Sequence, residues 1–145
     1  MSDRKKRNQA GVTLIEMLVV VTIIALFAAL VGRNIFRQTD KARITAAHAQ
    51  IEIFMGSLGQ YKLDTGGLPT TNQGLLALWT RPADGPASWD GPYLAKEVPA
   101  DPWGNAYLYR FPGEHGDMPE IISYGADGQP GGEGFNADII SWKSQ

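Results

Sequence analysis

The sequence predicts an α+β protein in which one long N-terminal helix packs on a small three-stranded antiparallel sheet. Three observations predict it. From Val12 to Val31 the chain is apolar apart from Thr13, Thr22 and Glu16. From Ile44 to Tyr61 the apolar residues Ile44, Ala47, Ile51, Phe54, Leu58 and Tyr61 recur at steps of 3, 4, 3, 4 and 3, the spacing of one helical face. Beyond Gly67, turns rich in proline and glycine bound three short segments that read as strands.

The first element is long enough to serve a membrane. As a helix, the stretch from Val12 to Gly32 spans about 30 Å, the thickness of a bilayer's hydrocarbon core. Residues 1–11, MSDRKKRNQAG, carry Arg4, Lys5, Lys6 and Arg7 against Asp3 alone. A basic flank holds its side of an apolar span in the cytoplasm, so the chain after the span is expected across the membrane. Glu16 is the anomaly, because a carboxylate at the centre of such a helix costs about 2.5–3.5 kcal/mol. Cleavage between Gly11 and Val12 leaves a new α-amino group about one helical turn from Glu16. That cation, on the same chain or a neighbour, compensates the charge.

No Pro or Gly pair interrupts residues 33–55, so the apolar helix is expected to continue into the amphipathic one and end near Leu63 to Gly67, where Gly66, Gly67 and Pro69 stop it. Gly56 and Gly59 weaken its last turns by up to about 1 kcal/mol each relative to Ala. They suggest close packing against the sheet.

Gly11, Val12, Thr13, Leu14, Ile15 and Glu16, behind a short basic leader and ahead of a long apolar run, resemble the class III leader of type IV pilins and pseudopilins. The resemblance implies a pilin-like fold, removal of residues 1–11 by a prepilin peptidase, methylation of the new amino terminus at Val12, and a role for Glu16 in assembly. Val12 departs from the usual Phe or Met at that position. The implied organisation is a leader over 1–11, a transmembrane or filament-core helix over 12–32, and a periplasmic globular domain over 33–145 of an inner-membrane, single-pass protein. Many family members carry a proline near the end of the apolar half, where this chain has Arg33.

Further along, YKLD at 61–64 and PTTNQGLLAL at 69–78 resemble the major pseudopilin, or protein G, family of type II secretion systems, and DPWG at 101–104 does so again. Thr71 or Asn72 is expected to cap a short helix over Gln73 to Trp79. Residues 81–102 carry five prolines and read as loop, with Trp89 and Tyr93 as packing anchors. Asp101 and Pro102 start a turn in which Gly104 and Asn105 permit positive φ. Strands are expected over Ala106 to Phe111, Glu120 to Tyr124 and Asp138 to Trp142.

Between the last two strands lies a loop from Tyr124 to Asp138 with five glycines. Such a segment buries too little apolar surface to hold one shape unaided, and the chain has no cysteine for a disulfide staple. Ca²⁺ takes six to eight oxygens at about 2.3–2.6 Å, and glycines let backbone carbonyls turn inward. The loop is no EF-hand, and GGEGFNADI imitates the calcium nonapeptide once and imperfectly. On the residues alone, a solvated acidic turn and a calcium site both stand. SYGADG, the Gly-rich stretch, ADI and Trp142 are similar to the calcium loop of the protein G family. That resemblance implies side-chain oxygens from Asp127 and Asp138, carbonyls from Tyr124 and Gln129, and Glu133 as a further ligand. The ending ADIISWKSQ, in place of the family's GNW, leaves the last strand's register open.

The composition excludes several classes. Removing the leader's four basic residues and one acid from 13 and 15 leaves 9 and 14, a formal charge of −5, and no basic patch for nucleic acid remains. The spaced glycines of GADGQPGGEG precede no helix that could hold a phosphate. His48 and His115 lack a second His or Cys at ligand spacing, and are read as a solvated helix residue and a turn residue. No G-x-S-x-G elbow is present, so no enzyme is expected. The function implied is a structural subunit polymerising with itself into a periplasmic filament, with minor pseudopilins, the inner-membrane assembly platform and a prepilin peptidase as partners. The alternatives are a type IV pilus pilin, whose C-terminal loop is commonly closed by a disulfide, and a monomeric single-pass anchor with a calcium-ordered head.

Overall fold

The computed structural model describes residues 12–143, without the side chains of 31–37; Gly11 and the rest of the leader lie outside the described residues. The chain forms two compact units that divide between Gln38 and Thr39. Helix α1, Leu14–Thr65, supplies residues to both.

Thr13 caps the start of α1. Its carbonyl accepts the first helical bond from the Met17 N–H at 3.2 Å, and its Oγ1 accepts the Glu16 N–H at 3.3 Å. T-x-x-E is the signature of a capping box, so Glu16 occupies a first-turn position where the helix dipole favours negative charge. Every described side chain from Val12 to Leu30 is exposed, including Leu14 at 87% and Phe27 at 62%. Among the described residues no helix is long and apolar enough to cross a membrane.

In the second unit α1 buries the face that its spacing predicts. Ala47, Ile51, Phe54, Leu58 and Tyr61 are each at most 2% exposed, with Ile44 packed at the edge. The helix stops at Gly66, whose φ of 78° is the left-handed conformation that glycine adopts without strain. The Gly66 N–H still donates to the Lys62 carbonyl at 2.8 Å, completing the last turn.

The expected helix over Gln73 to Trp79 is a turn followed by a 3₁₀-helix at Leu75–Leu78. Thr70 holds that turn. Its N–H donates to Gln73 Oε1 at 2.9 Å, and its Oγ1 accepts the Gln73 N–H at 3.3 Å. Thr71 instead bonds both backbone groups of Phe111, at 3.0 and 2.9 Å, and the 3₁₀-helix has no side-chain cap. Trp89 and Tyr93 are anchors as expected: the Trp89 indole donates to the Ala77 carbonyl at 2.9 Å, and Tyr93 packs edge-on against Tyr61 and Trp89.

The sheet is antiparallel, in the order β1-β2-β3, and its strands are shorter than predicted: β1 Leu108–Arg110, β2 Glu120–Ser123 and β3 Ile139–Ile140. Strand pairing ends where the glycine-rich and proline-bounded turns begin. The register pairs Tyr109 with Ile121 and Ser123 with Ile139, and Tyr109, Ile121 and Ile139 join the helix residues in one core. Glu120, Ile122 and Tyr124, with Asp138, Ile140 and Trp142, alternate to the opposite face, where they help line a cleft of about 450 Å³.

The DPWG turn docks on this sheet through Asp101, which is 5% exposed. Asp101 Oδ1 accepts the N–H groups of Trp103 at 3.0 Å and Asn105 at 2.7 Å, and Oδ2 accepts the Ser123 hydroxyl at 2.6 Å. Gly104 takes the positive φ of 93°, whereas no non-glycine residue among those described does so. Asn105 is therefore kept for its side chain rather than for its backbone freedom.

Gly56 and Gly59 do not mark close packing on the sheet. Both are exposed, and a Cβ at either position meets nothing within 4 Å. Gly59→Ala is therefore expected to raise the unfolding free energy by about 0.5–1 kcal/mol, measured by urea titration of the full chain in detergent. A lower midpoint would contradict the open geometry.

Candidate calcium loop and assembly motif

The loop after β2 begins with a tight turn over residues 125–128. Gly125 and Gly128 have φ of 64° and 66°, and a Cβ on Gly125 would lie 2.9 Å from the Ala137 carbonyl oxygen. The turn thus folds back against the end of its own loop, and only glycine permits the approach. The Ala126 N–H closes it by donating to the Phe135 carbonyl at 3.4 Å, just inside the 3₁₀-turn Gly134–Asn136.

The proposed ligands fall into two groups. Asp127 is exposed and accepts the Gln129 N–H at 3.1 Å, which folds its carboxylate over the turn. Asp138 Oδ2 accepts the Gly131 N–H at 2.9 Å, while Asp138 Oδ1 is buried and has no hydrogen-bond partner. A buried carboxylate oxygen without a donor is costly, and a hard cation answers it, so the donor chemistry fits calcium. Tyr124 is half-buried at the start of the loop, and Gln129 is exposed at the end of the turn. Glu133 is exposed and caps the 3₁₀-turn through its backbone. Among the described residues no three His, Cys, Asp or Glu side chains are gathered as a metal cluster. A calcium ion here would draw on backbone carbonyls and the carboxylates of Asp127 and Asp138, with Glu133 as the further candidate.

The same cleft holds a feature that sequence reasoning missed. Glu120, 3% exposed, accepts the His115 N–H at 2.7 Å on Oε1. The His115 Nδ1 lies 2.8 Å from that oxygen, and its ring stacks on Trp142 with centroids 4.6 Å apart. Arg110 Nη1 stands 4.0 Å from Glu120 Oε2 and 2.5 Å from Glu114 Oε1. Burial raises the Glu120 pKa, but the bonds from His115 outweigh it and hold the carboxyl below its ordinary value. His115 is thus a link between the β1–β2 turn and the segment that follows β3. No sequence signal marked it, because its partners lie 5 and 27 residues away.

At the N-terminal end, Val12 is 59% exposed and Glu16 stands exposed in the first turn of α1. Gly11, the other residue of the expected cleavage site, lies outside the described residues. Residues 6–32 match the prokaryotic N-terminal methylation motif, and residues 34–142 match the family model of type II secretion system (T2SS), protein G. The chain belongs to the type II secretion protein G family. It is similar to type II secretion system core protein G of Vibrio cholerae, 43% identical over 98% of this chain and 97% of the relative. It is also similar to that of Pseudomonas aeruginosa, 41% identical over 95% of this chain and 98% of the relative. The solved major pseudopilin of the type 2 secretion system of enterohaemorrhagic Escherichia coli matches with a TM-score of 0.63 at 34% identity, over 75% of this chain and 94% of that one. The long helix with its small three-stranded sheet is the architecture of that pseudopilin.

The lowered Glu120 pKa has a definite pH consequence. Because the folded carboxyl is more acidic than the unfolded one, its contribution to stability is full above the ordinary range, about 4.3, and is lost as pH falls through the folded value. Glu120→Gln is expected to lower the melting temperature at neutral pH, with the gap to the parent chain narrowing as pH falls below the ordinary carboxyl range. Melting curves across that range test it, and a constant gap would overturn it.

Proposed function

We propose that this chain is the major structural subunit of a type II secretion pseudopilus, polymerising into a periplasmic filament that helps drive export of folded proteins across the outer membrane. The observation that carries this reading is the near full-length similarity to core protein G relatives, at 41% and 43% identity. The role is structural rather than enzymatic.

The physical steps follow from the two halves of α1. Exposed apolar side chains from Val12 to Leu30 demand cover. Lipid of the inner membrane supplies it before assembly and the equivalent helices of other copies supply it afterwards, with the head in the periplasm. A prepilin peptidase removes residues 1–11 after Gly11, and the new amino group at Val12 is methylated; the methylation motif over 6–32 supports this step. Glu16, held in the first turn by the Thr13 cap, then offers its carboxylate to the amino terminus of a neighbour. Minor pseudopilins and the inner-membrane assembly platform are the further partners.

In the head, Asp127 and Asp138 would hold calcium by their side chains, Tyr124 and Gln129 by their carbonyls, and Glu133 is the further candidate. The ion would supply the positive charge that Asp138 Oδ1 lacks and tie the two ends of a loop with little apolar burial.

N-terminal sequencing of membrane-extracted protein is expected to read from Val12 in cells with a prepilin peptidase and from the leader in cells without one. In the same cells Glu16→Ala should leave the head's melting temperature unchanged and abolish filaments. A chain retaining its leader in both strains, or filaments from the Glu16 variant, would overturn the subunit reading.

Calcium at 100 times its dissociation constant should stabilise the folded chain by about 2.7 kcal/mol, reversed by chelator. Asp138→Asn and Asp127→Ala should each remove most of that difference. Equal melting temperatures with and without chelator would sink the calcium assignment.

A further inference from the structure

Three of the proposed calcium ligands lie within residues 124–129, on a turn built around two positive-φ glycines. Such a turn has many alternative shapes of similar energy, so something outside it must select one. The geometry points to Asn105 and Ser123, both held by Asp101, as the positioning residues of the calcium loop. This inference rests on the calcium reading of that loop.

The Gly125 residue is gripped on both of its backbone groups. Its N–H donates to Ser123 Oγ at 3.4 Å, and its carbonyl accepts the Asn105 Nδ2 amide at 3.4 Å. The Gly125 N–H and the Tyr124 carbonyl belong to one planar, trans peptide, in which they point in opposite directions. Fixing the N–H on Ser123 therefore aims the Tyr124 carbonyl the other way. The Gly125 carbonyl faces the Asn105 amide, whereas the Tyr124 carbonyl is turned away from Ser123.

Asn105 also reaches the far end of the turn. A Cβ on Gly128 would lie 3.3–3.5 Å from three atoms of the Asn105 amide group, so the amide lies beside residue 128 as well as bonding to residue 125. Both supports are themselves anchored on one carboxylate. Asp101 Oδ2 accepts the Ser123 hydroxyl at 2.6 Å, Oδ1 accepts the Asn105 N–H at 2.7 Å, and the Asp101 N–H donates to the Asn105 carbonyl at 2.8 Å. The DPWG turn is thus a template on which the ligand-bearing turn is set, from outside the ligand set.

Outer partners of this kind typically contribute 10- to 100-fold to metal affinity, roughly. The test is calorimetric calcium titration of the full chain in detergent, comparing the parent with Asn105→Ala, alongside melting in excess chelator. The expected result is a loss of about 10- to 100-fold in calcium affinity with the melting temperature in chelator nearly unchanged. Asn105→Ser, which keeps a polar group but cannot reach Gly125, should show the same loss and serves if the alanine variant does not fold. Parent and variants binding calcium equally would overturn the positioning role while leaving the calcium site standing. A fall in the chelator melting temperature with affinity unchanged would overturn it too, as the mark of a purely structural residue. A parent chain that binds no calcium would remove the calcium reading itself, and this inference with it.

Discussion

The buried carboxylate of Asp101 is the interaction on which the head depends. Three donors converge on its two oxygens, two from its own turn and one from Ser123 at the end of β2. Bonds to an ionised acceptor are about twice as strong as neutral ones, and a carboxylate this buried requires them all. The demand runs in both directions. The turn must close so that Trp103 and Asn105 can donate, and Ser123 must present its hydroxyl so that the strand and turn meet. The Asp101 charge also reaches Tyr107, whose hydroxyl is pushed up to about 12, first by burial and then by that charge. Around this point the chain's least regular segments acquire definite positions without a disulfide.

Helix α1 answers two different physical demands with one backbone. Its second half hides a single stripe under the head, where Phe54 meets the edge of Tyr107 at 5.2 Å and 80°, an arrangement worth about 0.5–1.5 kcal/mol beyond the area it buries. Its first half exposes every described side chain from Val12 to Leu30, an apolar surface that nothing among the described residues covers. The glycines at 56 and 59 lie on the outer surface of the second half, where they weaken the helix and meet nothing in this chain.

The cleft on the outer face of the sheet gathers opposite kinds of electrostatics at its two ends. At one, Glu120 has its charge answered by His115 and Arg110. At the other, Asp138 keeps one oxygen unanswered. Each keeps one buried carboxylate oxygen without a hydrogen bond, Oε2 in Glu120 and Oδ1 in Asp138, and Arg110 Nη1 stands 4.0 Å from the first.

The sequence by itself determined the elements whose causes are local or periodic. These are the helix and its buried face, its stop at Gly66, the turn at Asp101 to Gly104, and the family through its leader spacing and the YKLD and DPWG segments. Periodicity and turn chemistry act over a few residues, so they are visible in one dimension. Only the tertiary structure decided which side chains meet across long separations. It exchanged Thr71 as a cap for Thr71 as a tie to Phe111, moved Asn105 from a backbone role to a support under Gly125, and made His115 a partner of Glu120 and Trp142. It also shortened the strands to the few residues whose ladders the surrounding turns leave intact. Hydrogen bonds and stacking between residues distant in the chain depend on where the core brings the backbone, and no local pattern encodes that.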